Sequence, residues 1–222
     1  MSRNFSFSID EYYHCYSRGT DKRKIFLDKK DYERLISLLF LCNNTKPIHL
    51  SNYPKIIFKD IFNINRTDSL VEIGAYCLMP NHFHVLLREK HENGISLFMQ
   101  KLITGYTMYF NKKHTRTGSL FESRFKAEPV VNDNHLKYLF SYIHLNPIKL
   151  IEPTWKENGI KDISKAKTFL QTYDYSSCLD YLENNRPQFA ILNIKAFPNY
   201  FKNTKEIESE LFEWFNYVKV QP

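Results

Sequence analysis

The stretch LMPNHFHVLL, residues 78–87, sets His82 and His84 one residue apart inside an otherwise apolar run. Alternate residues of a strand share a face, so the two imidazoles project together while Phe83, Val85 and Leu87 point the other way, into a core. Each neutral imidazole offers one nitrogen lone pair, and two side by side suit a divalent cation. Two histidines on a polar sheet face have the same spacing, so a third ligand must separate the two readings. The segment NDNHLKYLFSYIHLN, 132–146, carries a candidate. At ~100° per residue, Leu136, Leu139, Phe140 and Ile143 form its apolar stripe. Tyr138, Tyr142 and Asn146 fall together on one flank, and His144 and Lys137 on the opposite one. Asn146 offers an amide oxygen to a cation, and Tyr142 a hydroxyl one turn away. The alternative for Tyr142 is an edge tyrosine that only packs.

These groups need a scaffold, and the pattern of the chain supplies one. DEYYHCYS, 10–17, reads as an aromatic strand that places His14 near the pair, as a structural or a functional residue. A basic turn, RGTDKR, leads to a helix opened by Asp28 as N-cap, with Tyr32, Leu35, Ile36, Leu39 and Phe40 at helical spacing. Residues 43–68 read as an irregular insertion. LVEIGAYCL, the turn MPN and HFHVLLRE make a hairpin over 70–89. An amphipathic helix over 95–113, a short strand near KAEPVV and the helix over 132–146 follow, the last stopped by Pro147. The order predicts an α+β fold, an antiparallel sheet with helices on one face in a split βαβ arrangement. Residues 1–150 read as the main domain. Residues 151–222 read as a helical extension with aromatic clusters at Tyr173, Tyr175 and Tyr181 and a final helix near 205–218.

Composition narrows the partner. The chain of 222 residues carries a net charge of +7. Residues 101–150 hold eight Lys/Arg against Glu122, Glu128 and Asp133, a local excess of +5 that fits a polyanion or a solvated basic surface. The four cysteines are scattered, which suits reduced thiols rather than a disulfide framework or a zinc site. No run of 18 apolar residues and no apolar leader segment is present, so neither a membrane span nor a signal peptide is expected, and the location expected is the cytoplasm.

The combination of motifs resembles the HUH single-strand transposases, the single-tyrosine enzymes of the IS200 type, and among them the REP-associated tyrosine transposases. The stretches that carry it are YHCYSRGTDKRKIFLDKKDYERL, AYCLMPNHFHVLLRE, FMQKLITGYTMYFNKKHTRTGSLFESRFK and YLFSYIHLNPIK, together most of residues 10–150. The resemblance implies the ferredoxin-like sheet of HUH endonucleases. It implies that His82, His84 and Asn146 hold one Mg²⁺ or Mn²⁺, and ligand softness favours Mn²⁺. It implies that Tyr142 attacks the scissile phosphate, leaving a 5′-phosphotyrosine link and a free 3′-OH, which a second 3′-OH reverses in strand transfer. A phenol is protonated at neutral pH and needs a nearby cation or a base. No base is identifiable, and His144 faces away from Tyr142. Tyr106, Tyr109 and Tyr138 are weaker nucleophile candidates, and Glu89 and Glu122 weaker ligands.

The implied partner is single-stranded hairpin DNA, bound by a monomer or a homodimer. Single strands are held by basic grooves with stacking aromatics. The segment 105–126 interleaves Tyr106, Tyr109, Phe110 and Phe121 with Lys112, Lys113, Arg116, Arg124 and Lys126. Arg18 and Gly19 form either a phosphate-contacting turn or a plain tight turn. Two other readings stand beside the transposase: a non-catalytic hairpin-DNA binder that keeps the fold, and an endonuclease acting on RNA.

Overall fold

The computed structural model describes residues 5–182, 185–200, 206–207 and 209–211. Four strands form its sheet: β1 (Tyr12–Arg18), β2 (Val71–Met79), β3 (His82–Glu89) and β4 (Lys126–Pro129). Their order is β2-β3-β1-β4, with every neighbouring pair antiparallel. The helix α1 (Lys29–Leu41) connects β1 to β2, and α2 (Gly94–Lys113) connects β3 to β4. This is the ferredoxin-like split βαβ topology that the element order predicts. Local chemistry sets the boundaries. The Asp28 side chain caps α1 by accepting from Asp31 N at 3.1 Å. Pro80 and Asn81 turn the hairpin in two residues, so that Met79 pairs with His82. Asn132 caps α3 (Asp133–Leu145) through His135 N at 2.8 Å, and Pro147 sits in the 3₁₀ turn Asn146–Leu150 that ends it.

The expectation of helices on one face is corrected. The helices α1 and α2 cover one face, over Tyr13, Cys15, Phe83, Val85 and Leu87. The second face, which presents the histidines, is covered as well. There α3 packs with Leu86, Ala75, Cys77 and Met79, and residues 151–200 add Trp155, Leu170, Tyr173, Tyr181 and Phe197 to the same core. Strand β2 is therefore buried along its whole length. Its alternating residues serve both cores, and a bulge between Ile73 and Ala75 shifts the alternation, so that Val71 and Ile73 before it and Tyr76 and Leu78 after it all face α1 and α2. At the bulge, a Cβ on Gly74 would lie 2.6 Å from the Phe197 ring, so a side chain there collides with the extension.

The reason for the second layer is the free edge of β2. An unpaired strand edge leaves backbone groups without partners. The extension supplies them. Leu78 N donates to Tyr175 O at 2.9 Å, and Ser177 N to Tyr76 O at 2.9 Å. The hydroxyls of Tyr173 and Tyr181 donate to the carbonyls of Leu78 and Gly74, each at 2.6 Å. The extension consists of short helices, α4 (Trp155–Asn158), α5 (Ile163–Leu170) and α6 (Cys178–Leu182), joined by turns. Residues 43–68 hold 3₁₀ turns at Leu50–Asn52 and Phe58–Asn63, as an irregular insertion predicts. Of the final helix expected near 205–218, residues 206–207 and 209–211 are helical and the rest lies outside the described residues.

Two substitutions test this arrangement by urea unfolding. Tyr181→Phe deletes one buried hydrogen bond to β2 and is expected to cost about 1–3 kcal/mol, because the Gly74 carbonyl is left unpaired. Gly74→Ala forces Phe197 to move and is expected to cost about 1–3 kcal/mol through overpacking. Unchanged midpoints in both would mean that the extension does not seal this edge.

Candidate active site

The pairing of β1 with β3 sets Tyr16 opposite His84 and Arg18 opposite His82. Strand alternation then puts His14, Tyr16, His82 and His84 on one face of the sheet. Tyr142 reaches down to this face from α3. Its ring centroid lies 5.7 Å from that of His84 and 5.9 Å from that of His14, edge-on to both. These groups line a pocket of about 490 Å³ together with Arg18, Arg124, Lys126, Lys149 and Lys156. Its wall carries those five cations against two carboxylates, Glu122 and Glu128, so its complement is an anion.

His82 is held in one tautomer. Asn81 Nδ2 donates to Lys22 O at 3.1 Å, which turns the amide oxygen toward His82 Nδ1 at 2.6 Å. An amide oxygen only accepts, so Nδ1 carries the proton and His82 Nε2 keeps its lone pair. His84 Nδ1 and His14 Nε2 share a hydrogen bond of 2.8 Å. Burial pushes His82 down to about 4, helped by the charges of Arg18, Lys149 and Lys156. Burial holds His84 well below the usual imidazole range, with His14 and His82 adding to the effect. Both rings are thus neutral at pH 7, the form a cation needs.

Asn146 lies one turn after Tyr142, fully buried and off the pocket wall, and among the described residues neither its amide oxygen nor its nitrogen has a hydrogen-bond partner. A buried amide with both ends unpaired is costly, and a cation or a water would relieve it. Among the described residues no group of three or more His, Cys, Asp or Glu is arranged to hold a metal. Neutral imidazoles and an unpaired amide oxygen are the donor types that a small divalent cation accepts.

The other expected residues separate. Arg18, Arg124 and Lys126 line the pocket and are exposed. Gly19 is buried, and a Cβ there would lie 2.5 Å from Arg23 O, so it serves the turn. Lys112, Lys113 and Arg116 do not line the pocket. Lys113 bridges Asp28 and buried Asp31, each at 2.7 Å, and ties α2 to the start of α1. Arg116 is held by Asn111 Oδ1 at 2.9 Å. Tyr106 is buried with its hydroxyl on Ile25 O, and Tyr109 donates to Asp31. Tyr138 stacks beside Tyr142 with centroids 5.8 Å apart. His144 points away, as its helical angle predicts, to Ser177 Oγ at 2.8 Å. Phe121 packs in the core, and Glu89 accepts from Ile95 N at the start of α2. Sequence reading missed Lys149, Lys156 and Glu128, whose place depends on folds of the chain that no local pattern encodes.

The sequence profile of the family described as "Transposase IS200 like" matches residues 10–146. The chain belongs to the IS200-like transposase family. Its fold resembles that of a solved REP-associated tyrosine transposase bound to a REP hairpin, at a TM-score of 0.54 and 12% identity over 92% of each chain. The transfer-RNA(His) guanylyltransferase of Saccharomyces cerevisiae aligns at a TM-score of 0.40 and 11% identity, over 91% of this chain and 87% of that one, too distant to carry an argument. No curated protein matches the chain. Family and fold support a role in DNA transposition, and among the described residues no helix is long and apolar enough to cross a membrane.

The buried rings make stability depend on pH. Burial lowers His14 to about 4 and His144 to about 3. An unfolded imidazole titrates near ~6.5. Below that value the unfolded chain binds more protons than the fold does. Stability is therefore complete above pH 6.5 and is lost as the pH falls toward 4, by up to about 2 kcal/mol per ring by pH 5. Urea unfolding in EDTA should show a lower midpoint at pH 5 than at pH 7.5, and equal midpoints would contradict the neutral, buried assignment.

Proposed function

We propose that this transposase cleaves single-stranded DNA beside a hairpin and transfers the strand through a covalent link to Tyr142. The observation that carries the reading is the seating of Tyr142 over the His84 ring, at 5.7 Å between centroids, in a pocket walled by cations. The family match and the likeness to a hairpin-bound transposase support the same substrate class.

In this reading Arg18, Arg124 and Lys126 hold the DNA backbone, by contacts that salt weakens. Tyr142 Oη attacks the scissile phosphorus. The Oη–P bond forms as the bond from phosphorus to the 3′ oxygen breaks, and the balance is one proton moved from the phenol to the departing oxygen. The products are a 5′-phosphotyrosine and a free 3′-OH, and a 3′-OH from another strand reverses the step. His82 and His84 would hold a divalent cation, Mg²⁺ or Mn²⁺, with Asn146 as the amide ligand. Bound there, such a cation supplies Lewis-acid polarisation of a phosphoryl oxygen. Tyr138, exposed and stacked on Tyr142, offers a flat surface to a base. The location that goes with this reading is the cytoplasm.

The test uses 3′-labelled hairpin DNA from beside the gene, with Mn²⁺, on a denaturing gel. The reading expects a labelled adduct at protein mass, absent with EDTA and with Tyr142→Phe, while Tyr142→Phe still shifts the DNA on a native gel. No adduct from the wild type, with the DNA still shifted, would leave a hairpin-binding protein without this chemistry.

A further inference from the structure

The pocket wall includes Lys149 and Lys156, which lie beyond residue 146, where the family match ends. Lys156 belongs to α4. Its neighbour Trp155 is buried in the second core and anchors this short helix. The Lys156 Nζ then stands over the face of the Tyr142 ring, 3.8 Å from its centroid. An ammonium on a ring face at this range is attracted by the ring quadrupole and holds the ring in place.

Lys149 comes from the 3₁₀ turn that follows α3, and it faces the same pocket. Both side chains are half-buried. Burial lowers both ammonium groups, and Lys149 also feels the charge of Lys156. Each feels the carboxylate of Glu157, yet among the described residues neither makes a salt bridge. Two partly desolvated like charges on one wall are unfavourable unless an anion joins them.

We propose that Lys156 is a positioning residue for Tyr142 and that Lys149 and Lys156 together form the anion site for the phosphodiester that Tyr142 attacks. The proposal rests on the reading of Tyr142 as nucleophile. It gives the extension a part in the site: α4 holds the nucleophile's ring from above while the sheet holds the histidines from below. The ligand class is a DNA phosphodiester, contacted as a charge without regard to base.

Two measurements test it. The first is single-turnover adduct formation at saturating 3′-labelled hairpin DNA with Mn²⁺. Lys156→Met is expected to slow it about tenfold or more, and Lys156→Arg to restore it to within about threefold of wild type, since guanidinium keeps both the charge and the ring contact. The second is hairpin affinity by fluorescence anisotropy against KCl concentration in a Tyr142→Phe background, where no cleavage occurs. There Lys149→Met and Lys156→Met should each weaken binding and lower the salt slope by about 0.7, one phosphate contact on a single strand. Unfolding midpoints identify a variant that fails to fold, and Lys156→Gln then replaces Lys156→Met.

A wild-type rate in Lys156→Met with an unchanged salt slope overturns the proposal, as does a slow Lys156→Arg. If the wild type forms no adduct, the reading of Tyr142 fails. The anisotropy arm still decides the anion site: an unchanged slope removes it and a lowered slope upholds it.

Discussion

The antiparallel register between β1 and β3 is the constraint on which the rest of the structure depends. These strands are the two central ones of the sheet, so their pairing is enforced from both sides by buried side chains. A slip of one residue in β3 would send His82 and His84 into the core under α1 and α2, away from His14, and bring Phe83, Val85 and Leu87 to the pocket face. The cost of taking those apolar groups out of their core and putting imidazoles in it is what pins the histidines in place. The hydrogen bond between His14 and His84 is a product of this register, since it joins the two central strands across 2.8 Å.

The second layer converts a sheet face into a site. Without it, the imidazoles would stand in water and ionise near neutral pH. With α3 and the extension packed over the sheet, burial keeps them neutral. The same packing brings Tyr142 edge-on to His84 and Lys156 onto the face of Tyr142. The extension packs there because β2 is an edge strand with backbone groups to satisfy, and the tyrosine hydroxyls of the tail meet them. Sealing the edge and completing the pocket are thus one event, and the aromatic richness of the chain serves both.

Much of this was legible locally. Asp28 and Asn132 mark helix starts because a short side-chain oxygen can meet a free N–H of the first turn, and Pro147 marks an end because it cannot continue a helix. The period of two in HFHVLLRE put both histidines on one side, and the period of 3.6 in the segment after Asn132 separated Tyr142 from His144. Charge was less informative. Lys113 and Arg124 look alike in a basic segment, yet Lys113 is consumed by buried Asp31 while Arg124 faces the pocket. A sequence records a charge without recording its partner. The covering of the second face was also illegible, because it depends on residues 155–197 meeting residues 71–86 across the chain.

What the sequence by itself determined is the set of elements, the family and the chemical types at the centre: two imidazoles on a strand, a phenol and an amide on a helix. These follow from short-range rules of period, capping and turn geometry. Only the tertiary structure decided which of them meet, which stay neutral and which cations surround them. Those outcomes depend on burial and on distances between segments far apart in the chain, and both exist only once the sheet is covered on its two sides.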